Sequence, residues 1–89
     1  MKPKNRRASP ELRNRFGTNL RRLRTAKGYT QLELAHRSGL TNCQINKMEQ
    51  GRLNSSLAAL EALSVALECW EVDLLWPIKE KERHGSQEP

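Results

Sequence analysis

Apolar side chains recur near the start of the chain at the spacing of a helix that buries one face. They are Leu12, Phe16, Leu20 and Leu23. Intervals of four, four and three residues place all of them on one stripe of an α-helix. Ser9 is a favoured N-cap before Pro10 in the first helical turn, and Gly28 can end a helix in a left-handed conformation. We therefore predict a first helix that runs from about Pro10 to about Ala26.

Residues 30–51 carry two helix starts about a dozen residues apart. Thr30 with Glu33, and Thr41 with Gln44, have the three-residue spacing of capping boxes. Gly39 stands between them, where it can end the first of the two helices. Two short helices joined by a tight turn are a helix-turn-helix, and we predict one here.

A fourth helix is predicted after Ser56, which is a favoured N-cap. Its apolar stripe consists of Leu57, Leu60, Leu63 and Leu67. Several alanines surround the stripe and permit neighbouring helices to approach closely. This pattern indicates core packing, and we see no ligand site in it.

The charge of the chain is unevenly distributed. The 89 residues suffice for one small domain. Residues 1–52 hold 13 lysines and arginines against three acids, whereas residues 53–89 hold three against seven. A nucleic-acid-binding face beside a protein-facing half would give this division. Charged helices that merely stay solvated would give it too, so charge alone leaves both interpretations open.

The remaining chemistry argues against several classes of site. Cys43 and Cys69 have no metal-ligand spacing, and His36 and His84 are too scattered to complete one. We therefore expect no metal and no cofactor. No apolar run approaches the roughly 18–20 residues of a membrane span, and no secretion signal is recognised. We expect a soluble, cytoplasmic protein with free thiols and no membrane partner.

These features together resemble the lambda-repressor-like (Cro/Xre-type) helix-turn-helix family over roughly residues 16–75. The resemblance is carried by Leu20-Arg21-Arg22-Leu23-Arg24, Gly28-Tyr29-Thr30-Gln31, Glu33-Leu34-Ala35, Ser38-Gly39-Leu40-Thr41, Ile45, Glu49, Gly51, Leu57, Leu60, Leu63, Leu67 and Leu75. It implies an all-α, compact five-helix domain with helices 2 and 3 as the helix-turn-helix, binding double-stranded DNA and usually dimeric. Where the family commonly ends the fourth helix with glycine, this chain has Glu68, so we expect that end to differ in shape.

The predicted domain occupies residues 9–78 and includes a C-terminal dimerisation segment. Residues 1–8 are predicted to be a disordered basic arm, and residues 79–89 a flexible tail. The arm is interpreted either as a DNA-contacting segment or as a solvated tail.

The third helix, residues 42–50, is the predicted DNA reader. At 100° per residue, Ile45, Met48 and Glu49 share one side, and a mainly polar set points away from it. The predicted base readers are Asn42, Cys43, Gln44, Asn46 and Lys47, of which Gln44 lies at the flank. Asn and Gln can pair with the adenine edge, and Lys with guanine. Cys43 departs from the polar residue common at its position in the family.

Predicted phosphate contacts surround this helix. They are Thr30, Gln31, Arg37, Arg52 and Asn54. The glutamine at the start of the second helix has this role in the family, where a helix N-terminus favours an anion. The resemblance also implies an ion pair between Arg24 and Glu49; the alternative is two unrelated surface charges.

Residues 70–78 are too apolar for a short helix that packs on one side, since six of the nine are large and apolar. Val72 and Leu75 match core positions of the family. The residues left over are Trp70, Leu74, Trp76 and Ile78. We interpret them as a dimer interface, because exposed apolar patches usually mark interfaces. The alternative is that they cover the small core of a monomer.

Two functions fit these patterns. The first is a homodimeric, sequence-specific transcriptional regulator, of repressor or controller type, on an inverted-repeat operator. The second is an interaction module, resembling an antitoxin or anti-repressor, whose main partner is a protein bound at the Trp-rich surface. An enzyme is not expected, because no catalytic set of residues is recognisable.

Overall fold

Five helices make up residues 8–77, the part of the chain that this computed structural model describes. They are α1 (Pro10–Lys27), α2 (Gln31–Ser38), α3 (Asn42–Glu49), α4 (Leu57–Leu67) and α5 (Glu71–Leu75). No strand occurs within that range. The prediction of an all-α, five-helix domain with a helix-turn-helix is confirmed. The predicted arm apart from Ala8, the predicted tail and Ile78 lie outside the described residues.

The helices begin where the local sequence supplies a cap. The Thr30 hydroxyl accepts from the Glu33 N–H at 3.0 Å, and the Glu33 carboxylate accepts from the Thr30 N–H at 2.8 Å. Thr41 and Gln44 repeat the arrangement at 3.0 and 2.8 Å. Ser9 caps α1 through the Leu12 N–H at 3.1 Å. Both predicted capping boxes and the predicted start of α1 are therefore confirmed.

The core lies where α2 and α3 pack on α1 and α4. Its buried apolar residues are Phe16, Leu20, Leu34, Ala35, Ile45, Met48, Ala59, Leu63, Leu67 and Leu74. Each fully buried leucine contributes roughly 2 kcal/mol by the removal of its surface from water. The stripe predicted for α1 is confirmed, with Phe16 and Leu20 buried and Leu23 packed against the core.

The stripe predicted for α4 is partly wrong. Leu57 is 83% exposed, whereas Ala59 is buried in the core. At 100° per residue, Leu57 lies about 120° around the helix from Leu63, so it cannot share the buried face. The smaller Ala59 replaces Leu57 on the buried face of α4. The helix can therefore lie close to the helices against which it packs.

The orientation predicted for α5 is also wrong, and with it the assignment of Leu74 to a dimer interface. Leu74 is fully buried, and Val72 is half exposed. The cause is Asn19 of α1, whose amide NH₂ donates to the carbonyls of Leu74 at 2.9 Å and Trp76 at 2.8 Å. These bonds fix the rotation of the short helix. The exposed apolar surface here, which we call the Trp surface, is Trp70, Val72 and Trp76.

Glu68 ends α4 in the left-handed conformation, with φ 56°. The expectation that this end differs in shape is therefore wrong, because the residue adopts the conformation that glycine usually supplies. The Glu68 carboxylate accepts from the Lys27 ammonium, and this hydrogen bond lowers the pKa of Glu68. The contact is exposed, so it offsets little of the backbone strain.

We expect Glu68→Gly to be more stable than Glu68→Ala by about 1 kcal/mol, because only glycine escapes the clash of Cβ in the left-handed region. Both variants lose the contact with Lys27, so alanine is the matched control. Urea unfolding followed by circular dichroism measures the difference. Equal midpoints for the two variants would contradict the strain at this position.

Candidate nucleic-acid interface

Helix α3 divides into a buried side and an exposed side. Ile45 and Met48 are almost fully buried in the core. Asn42, Cys43 and Lys47 are exposed, and Gln44 and Asn46 are half-buried at the edges of the exposed side. The structure thus brings the five predicted base readers onto one accessible side of one helix. Their contact with bases stays a prediction.

Gln44 has less freedom than its neighbours on this face. Its amide oxygen accepts from the Thr41 N–H in the capping box at 2.8 Å. The NH₂ group and the second lone pair of that oxygen remain for another contact. The cap of α3 therefore holds the amide of Gln44 in one orientation, in which it can meet a base edge.

The predicted ion pair between Arg24 and Glu49 is present. The guanidinium Nε lies 2.6 Å from Glu49 Oε2, and Nη2 lies 3.0 Å from Oε1. The third nitrogen, Nη1, donates to the Tyr29 carbonyl at 2.8 Å. The two side chains are 12% and 5% exposed, so the pair is largely withdrawn from water. One guanidinium thus joins α1, the loop before α2 and the last turn of α3.

The side chain of Gln31 is turned toward this pair. Its NH₂ donates to Glu49 Oε1 at 3.1 Å, and its amide oxygen accepts from the Asn46 NH₂ at 3.2 Å. The Thr30 hydroxyl is likewise engaged by its own capping box. In this geometry the N–H groups of the first turn of α2 are the donors best placed for a phosphate.

The other predicted phosphate contacts occupy two places. Arg37 on α2 is exposed, and its guanidinium lies 4.4 Å from the centroid of the Tyr29 ring. This stacking limits the motion of the Arg37 side chain. It leaves the guanidinium N–H groups at the edge of the Tyr29 ring free to donate. Arg52 and Asn54 are exposed in the loop after α3. Arg52 donates to the Gln50 amide oxygen at 2.9 Å, and Asn54 Oδ1 accepts from the Ala8 N–H at 3.0 Å.

Arg13 has a structural role that the sequence analysis did not anticipate. Its Nε donates to the Gly51 carbonyl at 3.2 Å, and its Nη1 donates to the carbonyl of Ala8. With the bond from Ala8 to Asn54, these contacts hold Ala8, which precedes the N-cap of α1, against the loop that follows α3. Ala8, the last residue of the predicted arm, therefore lies beside the loop that carries Arg52 and Asn54.

Gly17 is a second residue that the sequence analysis missed. A Cβ at this position would collide with the carbonyl oxygens of Met48 and Glu49. The backbone of α1 therefore touches the last turn of α3 directly, which only glycine permits. An isolated glycine inside a helical pattern is the sequence signal for such an approach.

The side chains that could ligate a metal are dispersed over the described residues. Within residues 8–77 no three His, Cys, Asp or Glu side chains come together so as to hold a metal ion. Cys43 is an exposed free thiol, and burial raises the pKa of the free Cys69 thiol. Among the helices described, none is long and apolar enough to cross a membrane.

Comparison with known proteins places this arrangement among helix-turn-helix regulators. A family model described as "Helix-turn-helix domain" matches residues 15–75. The chain is 37% identical over 70 residues to an uncharacterised HTH-type transcriptional regulator, y4dJ, of Sinorhizobium fredii. That match covers 79% of this chain and 91% of the relative.

Solved structures give the same result. The restriction-modification controller protein C.AhdI from Aeromonas hydrophila is 40% identical, with a TM-score of 0.68, over 70% of this chain and 94% of that one. The controller protein C.Esp1396I, solved as a tetramer in complex with its natural 35 base-pair operator, is 28% identical. Its TM-score is 0.65, over 71% of this chain and 83% of that one.

We expect Arg24→Met to lower the free energy of unfolding by about 3 kcal/mol, because it leaves the Glu49 carboxylate buried without its main partner. Arg22→Met is the matched control on the exposed side of α1, and should change stability by less than about 0.5 kcal/mol. Thermal and urea unfolding measure both. A loss no greater than that of the control would show that the pair does not hold α3.

Proposed function

The chain belongs to the family of Cro/Xre-type helix-turn-helix DNA-binding transcriptional regulators, with a lambda-repressor-like fold, and on that premise we propose that it binds an inverted-repeat operator as a homodimer. In this proposal α3 lies in the major groove and reads base edges. Two copies place their α3 helices in successive major grooves about 34 Å apart.

The observation that carries the proposal is the division of α3. Ile45 and Met48 anchor the helix in the core, so its exposed side chains are held by a rigid element rather than by a loop. The exposed side carries amides and a lysine, the groups that pair with adenine and guanine edges. The likeness to a controller protein solved on its operator supports the same docking mode.

Phosphate contacts would supply most of the affinity and make it depend steeply on salt. In the sequence, the N-terminus of α2 precedes α3 and Arg52 follows it. The N-terminal part of the sequence also carries most of the positive charge. Contacts at both places would fix the register of α3 without reading sequence.

The Trp surface is the proposed homodimer contact. Trp70 is 74% exposed and Trp76 is 68% exposed in the single chain. Tryptophan is enriched in the buried centres of interfaces, so two exposed rings at the two ends of α5 favour a partner surface. A two-fold dimer through this surface would pair like with like.

The same surface supports one other candidate, an interaction module that binds a different protein in the manner of an antitoxin or anti-repressor. The specific observation in its favour is that both indole rings are exposed in the single chain. The two candidates differ in whether the pure protein is a dimer.

Selection of duplexes from a random pool, at near-physiological salt, tests the function directly. We expect the pure protein to enrich an inverted repeat with half-sites one helical turn apart, and Asn46→Ala or Lys47→Ala to relax base preference at particular positions while the fold is retained. Circular dichroism checks the fold. Salt-sensitive binding with no enriched sequence would count against the proposal.

We expect Trp76→Glu to convert the dimer into a monomer of 10.2 kDa, because a carboxylate cannot be buried unpaired in an apolar contact. Sedimentation equilibrium measures the mass. Leu32→Glu is the control, since Leu32 is 55% exposed on α2, a helix that is not among those packed closely on α5. A wild-type protein that sediments as a monomer would instead favour the interaction module, and an unaffected dimer in the variant would place the contact elsewhere.

A further inference from the structure

Polar side chains form a continuous chain of hydrogen bonds between the end of α3 and the start of α2. Arg52 Nη1 donates to the Gln50 amide oxygen at 2.9 Å, and the Gln50 NH₂ donates to the Asn46 amide oxygen at 2.9 Å. The Asn46 NH₂ donates to the Gln31 amide oxygen at 3.2 Å. The Gln31 NH₂ donates in turn to Glu49 Oε1 at 3.1 Å.

The chemistry of its two ends gives this chain a direction. The carboxylate of Glu49 can only accept, and the guanidinium of Arg52 can only donate. Each amide between them must therefore turn its NH₂ toward Glu49 and its oxygen toward Arg52. Both ends impose the same direction, so the orientations of the three amides follow from hydrogen-bonding chemistry alone.

The Glu49 end governs the chain. Its carboxylate is 5% exposed and is held by two nitrogens of Arg24, so it cannot turn away to water. Gln31 and Asn46 are half-buried next to it. Arg52 and Gln50 are exposed, and their contact competes with water and is correspondingly weaker.

The consequence falls on Asn46, the one member of the chain that is also a predicted base reader. One N–H and one oxygen lone pair of its amide are engaged within the protein, and one of each remains for a ligand. An adenine edge presents an acceptor, N7, beside a donor, N6. An amide whose orientation is fixed presents its donor and its acceptor in one order only, so it can pair with the adenine edge in a single geometry. A free amide can rotate and exchange the positions of donor and acceptor, so it can also pair with a different edge.

We propose that Glu49, acting through Gln31, fixes the amide direction of Asn46 and so sets the base preference of the recognition helix. Glu49 and Gln31 are positioning residues in this role, since neither contacts a base. The ion pair of Glu49 with Arg24 thus serves specificity as well as stability. The inference rests on the proposed function, in which α3 reads base edges.

The variant that isolates this role is Gln31→Met. It removes the amide between Glu49 and Asn46 while leaving the ion pair with Arg24 in place and nearly preserving the side-chain volume. The quantity to measure is a ratio of dissociation constants. It is the constant for a duplex substituted at the base pair where Asn46→Ala loses preference, divided by the constant for the selected duplex. Gln31→Met should reduce that ratio roughly 5- to 10-fold. Any loss of a phosphate contact weakens binding to all duplexes alike and cancels in the ratio.

The double variant separates positioning from a direct effect. In an Asn46→Ala background, Gln31→Met should leave the ratio unchanged, because there is no amide left to orient. A second variant, Glu49→Gln, keeps the shape but can donate as well as accept, and should also reduce the ratio at a temperature where circular dichroism shows it folded. In the free protein, the side-chain NH₂ protons of Asn46 should shift toward solvent-exposed values in Gln31→Met.

An unchanged ratio in Gln31→Met would overturn the inference, as would an equal reduction with and without Asn46. If the wild type selects a sequence but Asn46→Ala retains it, the inference fails and the proposed function stands. If the wild type selects no sequence, the proposed function fails and base reading by α3 fails with it.

Discussion

The position of α3 depends on the contact between Arg24 and Glu49. A guanidinium offers donors in a fixed fork, and here one fork meets both carboxylate oxygens and a backbone carbonyl. The net gain from such a buried pair is modest, because both groups lose water. The main effect of the pair is on geometry. Because the buried carboxylate has few alternative hydrogen-bond donors, the pair holds the last turn of α3 against α1. Gly17 completes the contact, since the two backbones touch only where a side chain is missing.

Apolar packing and polar contacts make different contributions to the position of α3. Ile45 and Met48 bury the inner side of α3 and supply most of the free energy, but apolar packing tolerates small rotations. The ion pair and the amides attached to it have directional requirements that packing lacks. A helix whose side chains must meet base edges within a fraction of an ångström needs both kinds of contact, one for stability and one for orientation.

The sequence predicted the features that depend on neighbouring residues. Caps such as Thr30 with Glu33 are bonds between residues three apart, so the local pattern contains all that is needed. The rotation of α5 could not be predicted in this way, because Asn19, far away in the sequence, decides it. The same holds within the site. The outward side of α3 followed from helical periodicity, and the Arg24–Glu49 pair followed only from resemblance, but the contact between Gln31 and Asn46 requires the angle between two helices, which no periodicity contains.

Helix α1 connects the two surfaces on which the proposed function depends. Nearer its N-terminus, Arg15 donates to the Leu75 carbonyl at 2.8 Å, and Asn19, just past the midpoint, holds the end of α5. At its C-terminal half, Arg24 holds α3. An 18-residue helix is about 27 Å long and bends little, so the Trp surface and α3 keep a fixed separation. In the proposed dimer, the distance between the two reading helices is therefore set by α1 rather than by the DNA. Such a dimer would therefore match only operators whose half-site spacing fits that distance.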